Sequence, residues 1–293
     1  MWWKTSRARV DLRHRGLVMG ILNVTPDSFS DGGRHRGVRA ALEHARRMIA
    51  EGAEIIDIGG ESTRPGAAEV PADEERARTA PVVAALRREW DGMISIDTMK
   101  AGVAAAALDA GADIVNDVSG LTADPAMTGL CRERGCGVVV MHMQGTPRTM
   151  QLAPAYGDVV AELRAFFQKR LAALTAAGMD PECLCFDPGI GFGKSLEHNL
   201  ALLRALPDLA PAGRPLLLGV SRKSFIGRVL DSSELADRGW PTVAITAWAR
   251  DAGVRLHRVH EVGPNAQALR MVEAILHGGN LRDPGESFSQ TPV

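Results

Sequence analysis

Short apolar runs alternate with longer amphipathic stretches eight times along the chain. The short runs are Leu17–Leu22, Glu54–Ile58, Met93–Ile96, Ile114–Val118, Gly137–Met141, Cys183–Phe186, Pro215–Val220 and Arg255–Val259. Continuous apolar runs of this length fit parallel strands buried on both faces. The stretches between them carry helical spacing. Val38–Glu51 places Leu42, Ala45, Met48 and Ile49 on one side, and Val159–Leu174 does the same with Val160, Leu163, Phe167, Leu171 and Leu174. Pro264 suits the first turn of a last helix that carries Leu269, Val272, Ile275 and Leu276. Gly52, Gly111, Gly135 and Gly178 follow helical stretches, where a left-handed cap favours glycine. Eight strand–helix units predict a single-domain (β/α)8 TIM barrel over residues 17–278, with an N-terminal extension at 1–16 and a polar tail at 279–293. An open doubly wound sheet would carry a Gly-x-Gly-x-x-Gly turn after its first strand, and Asn23–Gly33 has none.

A barrel of this kind places its chemistry on the loops after the strands. Polar residues gather there. Strand one runs into Asn23, strand two through Asp57 to Glu61-Ser62-Thr63-Arg64, strand three to Asp97-Thr98 and strand four to Asn116-Asp117. Strands five to eight end at Met141-His142, Asp187, Ser221-Arg222-Lys223-Ser224 and Arg258/His260. Each has a purely structural reading as well. Asp57 fits a satisfied internal carboxylate, Asp97 a helix cap, Asn116-Asp117 an Asx turn, His142 a packing residue and Asp187-Pro188-Gly189 a plain turn. His257 and His260 fall on opposite faces of a strand, which argues against a zinc pair. Gly189–Ser195 resembles a nucleotide phosphate loop, but Pro188 stands where the Walker pattern needs glycine.

Composition narrows the picture. Of 293 residues, 34 are Lys or Arg and 35 are Asp or Glu, giving a net charge of −1. No overall field draws such a chain to nucleic acid or to an anionic membrane. Four cysteines are too few for a disulfide scaffold and read as buried free thiols. No apolar run approaches the ~18 residues of a membrane helix, and Met1–Arg15 lacks a signal-peptide core, so a cytoplasmic protein is expected. The converging cations Arg64, Lys223, Arg258 and His260 suit a phosphate-bearing ligand. The carboxylates Asp97 and Asp187 with the amide of Asn116 suit a flat heterocycle with a donor edge, such as an aminopyrimidinone. Asn23 is a candidate oxygen ligand for Mg²⁺, which shares phosphate oxygens and keeps several waters.

Seven motifs in order, each at a strand end, carry a resemblance. They are Gly20–Gly33, Asp57–Gly66, Ile96-Asp97-Thr98, Asn116-Asp117, Asp187–Lys194, Ser221–Ser224 and Arg258-Val259-His260. Over about residues 17–278 the chain resembles the dihydropteroate synthase family of pterin-binding TIM barrels. The resemblance implies a transferase of folate biosynthesis that joins (7,8-dihydropterin-6-yl)methyl diphosphate to 4-aminobenzoate. It implies a pterin held by Asp97, Asn116, Asp187 and Lys223, and a diphosphate held by Thr63, Arg258 and His260, with Mg²⁺ near Asn23. It places 4-aminobenzoate near Phe29, Arg64, Pro65, Phe192, Lys223 and Ser224. Asp97, Lys223, Arg258 and His260 would carry catalysis. A homodimer packed through late helices is implied as well, and family members are sulfonamide targets. Glu261 and Val118 depart from the residues commonest at those positions, and neither is a site residue. A pterin-dependent methyltransferase, or a pterin-binding paralogue without synthase activity, stays open as an alternative.

Overall fold

A computed structural model of the chain describes residues 1–24, 34–64 and 66–278. Two short strands, β1 (Trp2–Lys4) and β2 (Arg9–Asp11), pair antiparallel as a hairpin. The barrel strands follow: β3 (Leu17–Asn23), β4 (Ile55–Gly59), β5 (Met93–Asp97), β6 (Ile114–Asp117), β7 (Gly137–Met141), β8 (Leu184–Asp187), β9 (Leu217–Leu218) and β10 (Leu256–Val259). All pair in parallel in the order β8-β7-β6-β5-β4-β3-β10-β9, and a bridge from Phe186 to Leu216 joins the two ends into a closed cylinder. The helices are α1 (Arg34–Ala50), α2 (Ala72–Arg87), α3 (Ala101–Asp109), α4 (Pro125–Arg134), α5 (Val159–Ala176), α6 (Leu196–Arg204), the short α7 (Leu206–Leu209), α8 (Ser224–Leu230), α9 (Gly239–Asp251) and α10 (Val262–His277). The single-domain TIM barrel predicted from the apolar rhythm is the fold observed. None of these helices is long and apolar enough to cross a membrane.

Alternation along the strands divides the core in two. Ile56, Ile94, Val115, Val138, Leu184 and Leu218 face outward and pack under the helices. Leu17, Met19, Ile55, Met93, Ile114, Val139, Cys185, Leu217 and Leu256 face inward and fill the lumen. Because the side-chain period of a strand is two, the next inward positions are Ile21, Asp57, Ser95, Asn116, Met141, Asp187, Gly219 and Arg258. The pattern that buries the apolar layer therefore places five polar side chains, Asp57, Ser95, Asn116, Asp187 and Arg258, directly above it at the mouth.

The hairpin closes the opposite end, where its Trp3, Val10 and Leu12 join the inward-facing cluster. The Trp3 indole N–H donates to the Cys183 carbonyl at 3.0 Å, which supplies the partner a buried indole needs. Cys183 itself lies in a 3-10 turn before β8, not in a strand, so it shares no strand face with Cys185. All four cysteines are free and buried. Gly135 ends α4 in the left-handed conformation, at φ 57°, as its position after an amphipathic run predicts. One helix departs from expectation. On α10 Leu269 is buried, but Ile275 is 71% exposed and Leu276 also reaches solvent, so the apolar stripe extends beyond the core.

Removing the hairpin's anchor tests its place in the fold. Trp3→Ala is expected to cost about 3–5 kcal/mol in guanidinium unfolding, as for other fully buried aromatics. A loss below about 1 kcal/mol would show that the hairpin is not part of the core.

Candidate active site

The polar layer is organised by one guanidinium. Arg258 on β10 donates through Nε to Asp57 Oδ2 and through Nη2 to Asp97 Oδ2, both at 2.6 Å. Asn116 Nδ2 on β6 donates to the same Asp57 oxygen at 3.1 Å. Asp57 is 0% exposed, and a carboxylate so placed is tolerable only when it is paired and hydrogen-bonded. Among the described residues its Oδ1 and the neighbouring Ser95 Oγ have no hydrogen-bond partner. Burial pushes the Asp97 carboxyl up to about 7, with Arg258 pulling it down and the charge of Asp57 pushing it up. Burial works against the charge of Arg258 too, but Asp57 and Asp97 outweigh it and hold the guanidinium above its ordinary value.

Asp187 at the end of β8 faces the same space. Its Oδ1 accepts the Gly189 N–H at 2.7 Å, so it forms a turn and is a buried mouth carboxylate at once. Burial raises its pKa, and Lys223, Arg258 and Lys194 oppose that rise. A Cβ at Gly219 would lie 3.8 Å from Asp187 Oδ2 and 3.8 Å from Arg258 Cβ, so glycine there keeps the gap between them open. Lys223 donates to the Ile190 carbonyl and stands 4.6 Å from the centroid of the Phe192 ring. Burial lowers the Lys223 ammonium to about 8, against the pull of Asp187. Lys194, 2% exposed, donates to the carbonyls of Phe192 (2.9 Å) and His142 (3.2 Å) and meets His142 Nδ1 at 3.1 Å. These contacts brace the Gly189–Gly193 turn with the lysine that a nucleotide loop would aim at phosphate.

A cationic rim stands beside these groups. Ser221 Oγ accepts the backbone N–H of His260 at 3.1 Å and lies 2.9 Å from His260 Nδ1. The hydroxyl proton is free to go to Nδ1, which assigns the imidazole proton to Nε2. Burial pushes His260 down to about 4, assisted by Arg258, Arg222, Arg64 and Lys223. His260 is thus a neutral donor among cations at neutral pH. Arg222 is tied back to Glu261 at 2.8 Å. Ser224 is exposed at the first residue of α8, Arg64 is exposed and Thr63 is half-buried. Asn23 is exposed at the top of β3. Its Oδ1 and Asp97 Oδ2 lie 3.7 and 3.9 Å from where Gly59 would carry a Cβ, so the two flank one point of the mouth. Phe29 and Pro65 lie outside the described residues.

Several structural alternatives are now settled. Asp97 does not cap α3, because Lys100 occupies the cap position and the Ala101 N–H goes to Asp124 at 2.8 Å. Asp117 makes the Asx turn, accepting from Ser119 N at 2.7 Å, and leaves Asn116 to the mouth. His142 packs edge-on against Phe166 at 4.8 Å. Among the described residues no group of three or more His, Cys, Asp or Glu is arranged to hold a metal ion. Sequence reasoning left Asp57 undecided and missed Ser221 and Lys194. The inward parity of Asp57, two residues after Ile55, was the available signal.

Residues 19–260 match the family described as pterin binding enzyme. The chain is 47% identical to the dihydropteroate synthase of Escherichia coli K12 over 267 residues, 91% of this chain and 94% of that one. It is 47% identical to the dihydropteroate synthase of Synechocystis over 265 residues, 90% and 92% of the two chains. Among solved structures it is similar to Yersinia pestis dihydropteroate synthase in a sulfonamide drug complex, with TM-score 0.87, 44% identity and 94% and 99% coverage of the two chains. It is also similar to the Xanthomonas albilineans enzyme in complex with 7,8-dihydropteroate, with TM-score 0.84, 40% identity and the same coverage of 94% and 99%.

The bridge makes a titration prediction. In Asp57→Asn the charge that raises Asp97 is gone and Arg258 has one carboxylate to serve, so the Asp97 pKa falls from about 7 toward the ordinary carboxylate range. Carboxyl-carbon NMR against pH measures this. An unchanged or higher value would show that the two carboxylates are not coupled through Arg258.

Proposed function

The chain belongs to the family of pterin-binding enzymes, and on that premise we propose that it is a dihydropteroate synthase. It condenses (7,8-dihydropterin-6-yl)methyl diphosphate with 4-aminobenzoate to give 7,8-dihydropteroate and diphosphate. The observation that carries this reading is the adjacency of a buried carboxylate–amide–lysine set to a cationic rim in one mouth. Arg258 holds Asp57 and Asp97 and faces Asp187 across Gly219, so the two sets share a centre. A methyl-carrying relative would need the first set and has no use for the second.

In this reading Asp187 and Asp97 accept hydrogen bonds from the amino and ring N–H edge of the pterin, with Asn116 and Lys223 at its other polar atoms. Arg258, His260 and Thr63 take the diphosphate, and His260 donates through Nε2 without a charge of its own. 4-Aminobenzoate sits above, near Phe192, Lys223, Ser224 and Arg64. The C–O bond from the exocyclic methylene to diphosphate breaks, and a C–N bond to the aniline nitrogen forms. Positive charge that spreads into the pterin is favoured by the carboxylates beneath it. Negative charge that grows on the leaving oxygen is met by Arg258 and His260. The neutral aniline needs no strong base and loses its proton after attack. Most of the acceleration comes from placement and charge stabilisation.

The fit to Mg²⁺ is that of a shared ion. The chain offers it the amide oxygen of Asn23, near Asp97, and diphosphate and water would complete its oxygen shell. An ion held there would supply positive charge against the departing diphosphate. We assign the exposed apolar side chains of α9 (Trp240, 79% exposed) and of its packed neighbour α10 (Met271, Ile275) to a homodimer contact. Four unpaired thiols accord with a cytoplasmic location.

Three measurements test the reading. The purified protein with both substrates and Mg²⁺ releases one diphosphate per dihydropteroate formed; no release overturns the proposal. Asp187→Ala abolishes binding of both diphosphate-bearing and diphosphate-free pterin, whereas retained affinity would reduce Asp187 to a turn former. His260→Ala weakens the diphosphate-bearing pterin by about tenfold or more, the worth of one hydrogen bond to a charged group. Diphosphate-free pterin binds it as before, and an equal loss for both ligands would refute the division. Arg258 does not offer this test, because its removal also strands Asp57 and Asp97.

A further inference from the structure

The loop that follows β4 carries Thr63 and Arg64, and a half-buried ion cluster fixes its two ends. Lys100 Nζ donates to Glu61 at the start of the loop, to the Val70 carbonyl at its end (2.8 Å) and to Glu75 Oε2 on α2 (2.7 Å). Three ammonium protons thus meet three acceptors. Glu61 itself closes the loop, since its Oε1 accepts the Val70 N–H at 3.3 Å. The Gly60 carbonyl accepts from Arg78 Nη1 at 2.8 Å, and a Cβ at Gly60 would lie 2.8 Å from Thr79 Cγ2, so the root of the loop is pressed flat on α2. Glu75 is fully buried. Lys100 comes from the β5–α3 turn, three residues after Asp97.

One side chain therefore ties the loop bearing Thr63 and Arg64 to the strand end bearing Asp97. We propose that Lys100, acting through Glu61, is a positioning residue: a latch that holds Thr63 and Arg64 over the mouth for the second substrate and the diphosphate. The latch touches no substrate. It rests on the synthase reading for its kinetic consequence, but not for its effect on the loop.

Glu61→Ala is the primary test, because it frees the loop and leaves the pairing of Lys100 with the buried Glu75 intact. Amide exchange across residues 61–70 is expected to quicken about tenfold, with α3 unchanged. In steady state the KM for 4-aminobenzoate rises fivefold or more, while the Kd of a diphosphate-free pterin stays within twofold. Lys100→Met acts in the same direction, and Lys100→Met with Glu61→Ala is no worse than Lys100→Met alone. Unchanged exchange in 61–70 overturns the latch whether or not the protein is active. So does an active Glu61→Ala protein whose KM is unaltered and whose melting temperature alone falls, which is the signature of a merely structural cluster. A wild-type protein that releases no diphosphate sinks the synthase reading instead, and the exchange result still decides the latch.

Discussion

Two carboxylates from neighbouring strands share one guanidinium at the top of a closed lumen. Arg258 reaches past β3, which separates β10 from β4, to hold Asp57 and Asp97 together. Breaking such a pair from one side leaves an uncompensated buried charge, typically worth several kcal/mol. The bridge thus makes the barrel's last strand a structural partner of its second and third. It also leaves Arg258 aimed at the mouth with its charge reinforced, ready for an anion. A residue assigned to the substrate's tail is at the same time the support of the ring site, and the two subsites are coupled by construction.

The same low-dielectric setting shapes every other group there. Asp97 and Lys194 sit near 7 and Lys223 near 8, each displaced first by burial and then held back by a neighbour of opposite charge. His260 is lowered by burial as well, and its cationic neighbours add to that shift, so it stays neutral. A ligand that brings a flat donor edge and a polyanionic tail supplies what these groups lack, namely donors for the carboxylates and negative charge for the rim. A site so arranged discriminates by charge placement as much as by shape.

Much of this was legible along the chain, for one physical reason. Strands buried on both faces read as apolar runs, and the period of two then fixes which polar residues rise above the lumen layer. Asn116, Asp187 and Arg258 are legible from their place at the strand ends, and the parity of the strands accounts for why they face the mouth. Asp57 was not decided, because a carboxylate inside a strand reads alike whether it serves a ligand or a partner 201 residues away. Ser221, Lys194 and Lys100 act on carbonyls, an imidazole or loop carboxylates remote in sequence, and no spacing rule reports such contacts. The hairpin strands are three residues long, too short for alternation to show, yet Trp3 is among the largest buried side chains. The stripe on α10 misled in the other direction, since helical spacing alone does not separate a core face from a contact face.

The central claim is that one mouth takes both ends of one molecule, and a crystal structure with the pterin diphosphate bound tests it most directly. The bicyclic ring is expected between Asp97, Asn116 and Asp187, with the diphosphate on Arg258 and His260. Ring density outside that layer, or a diphosphate directed away from β10, would contradict it.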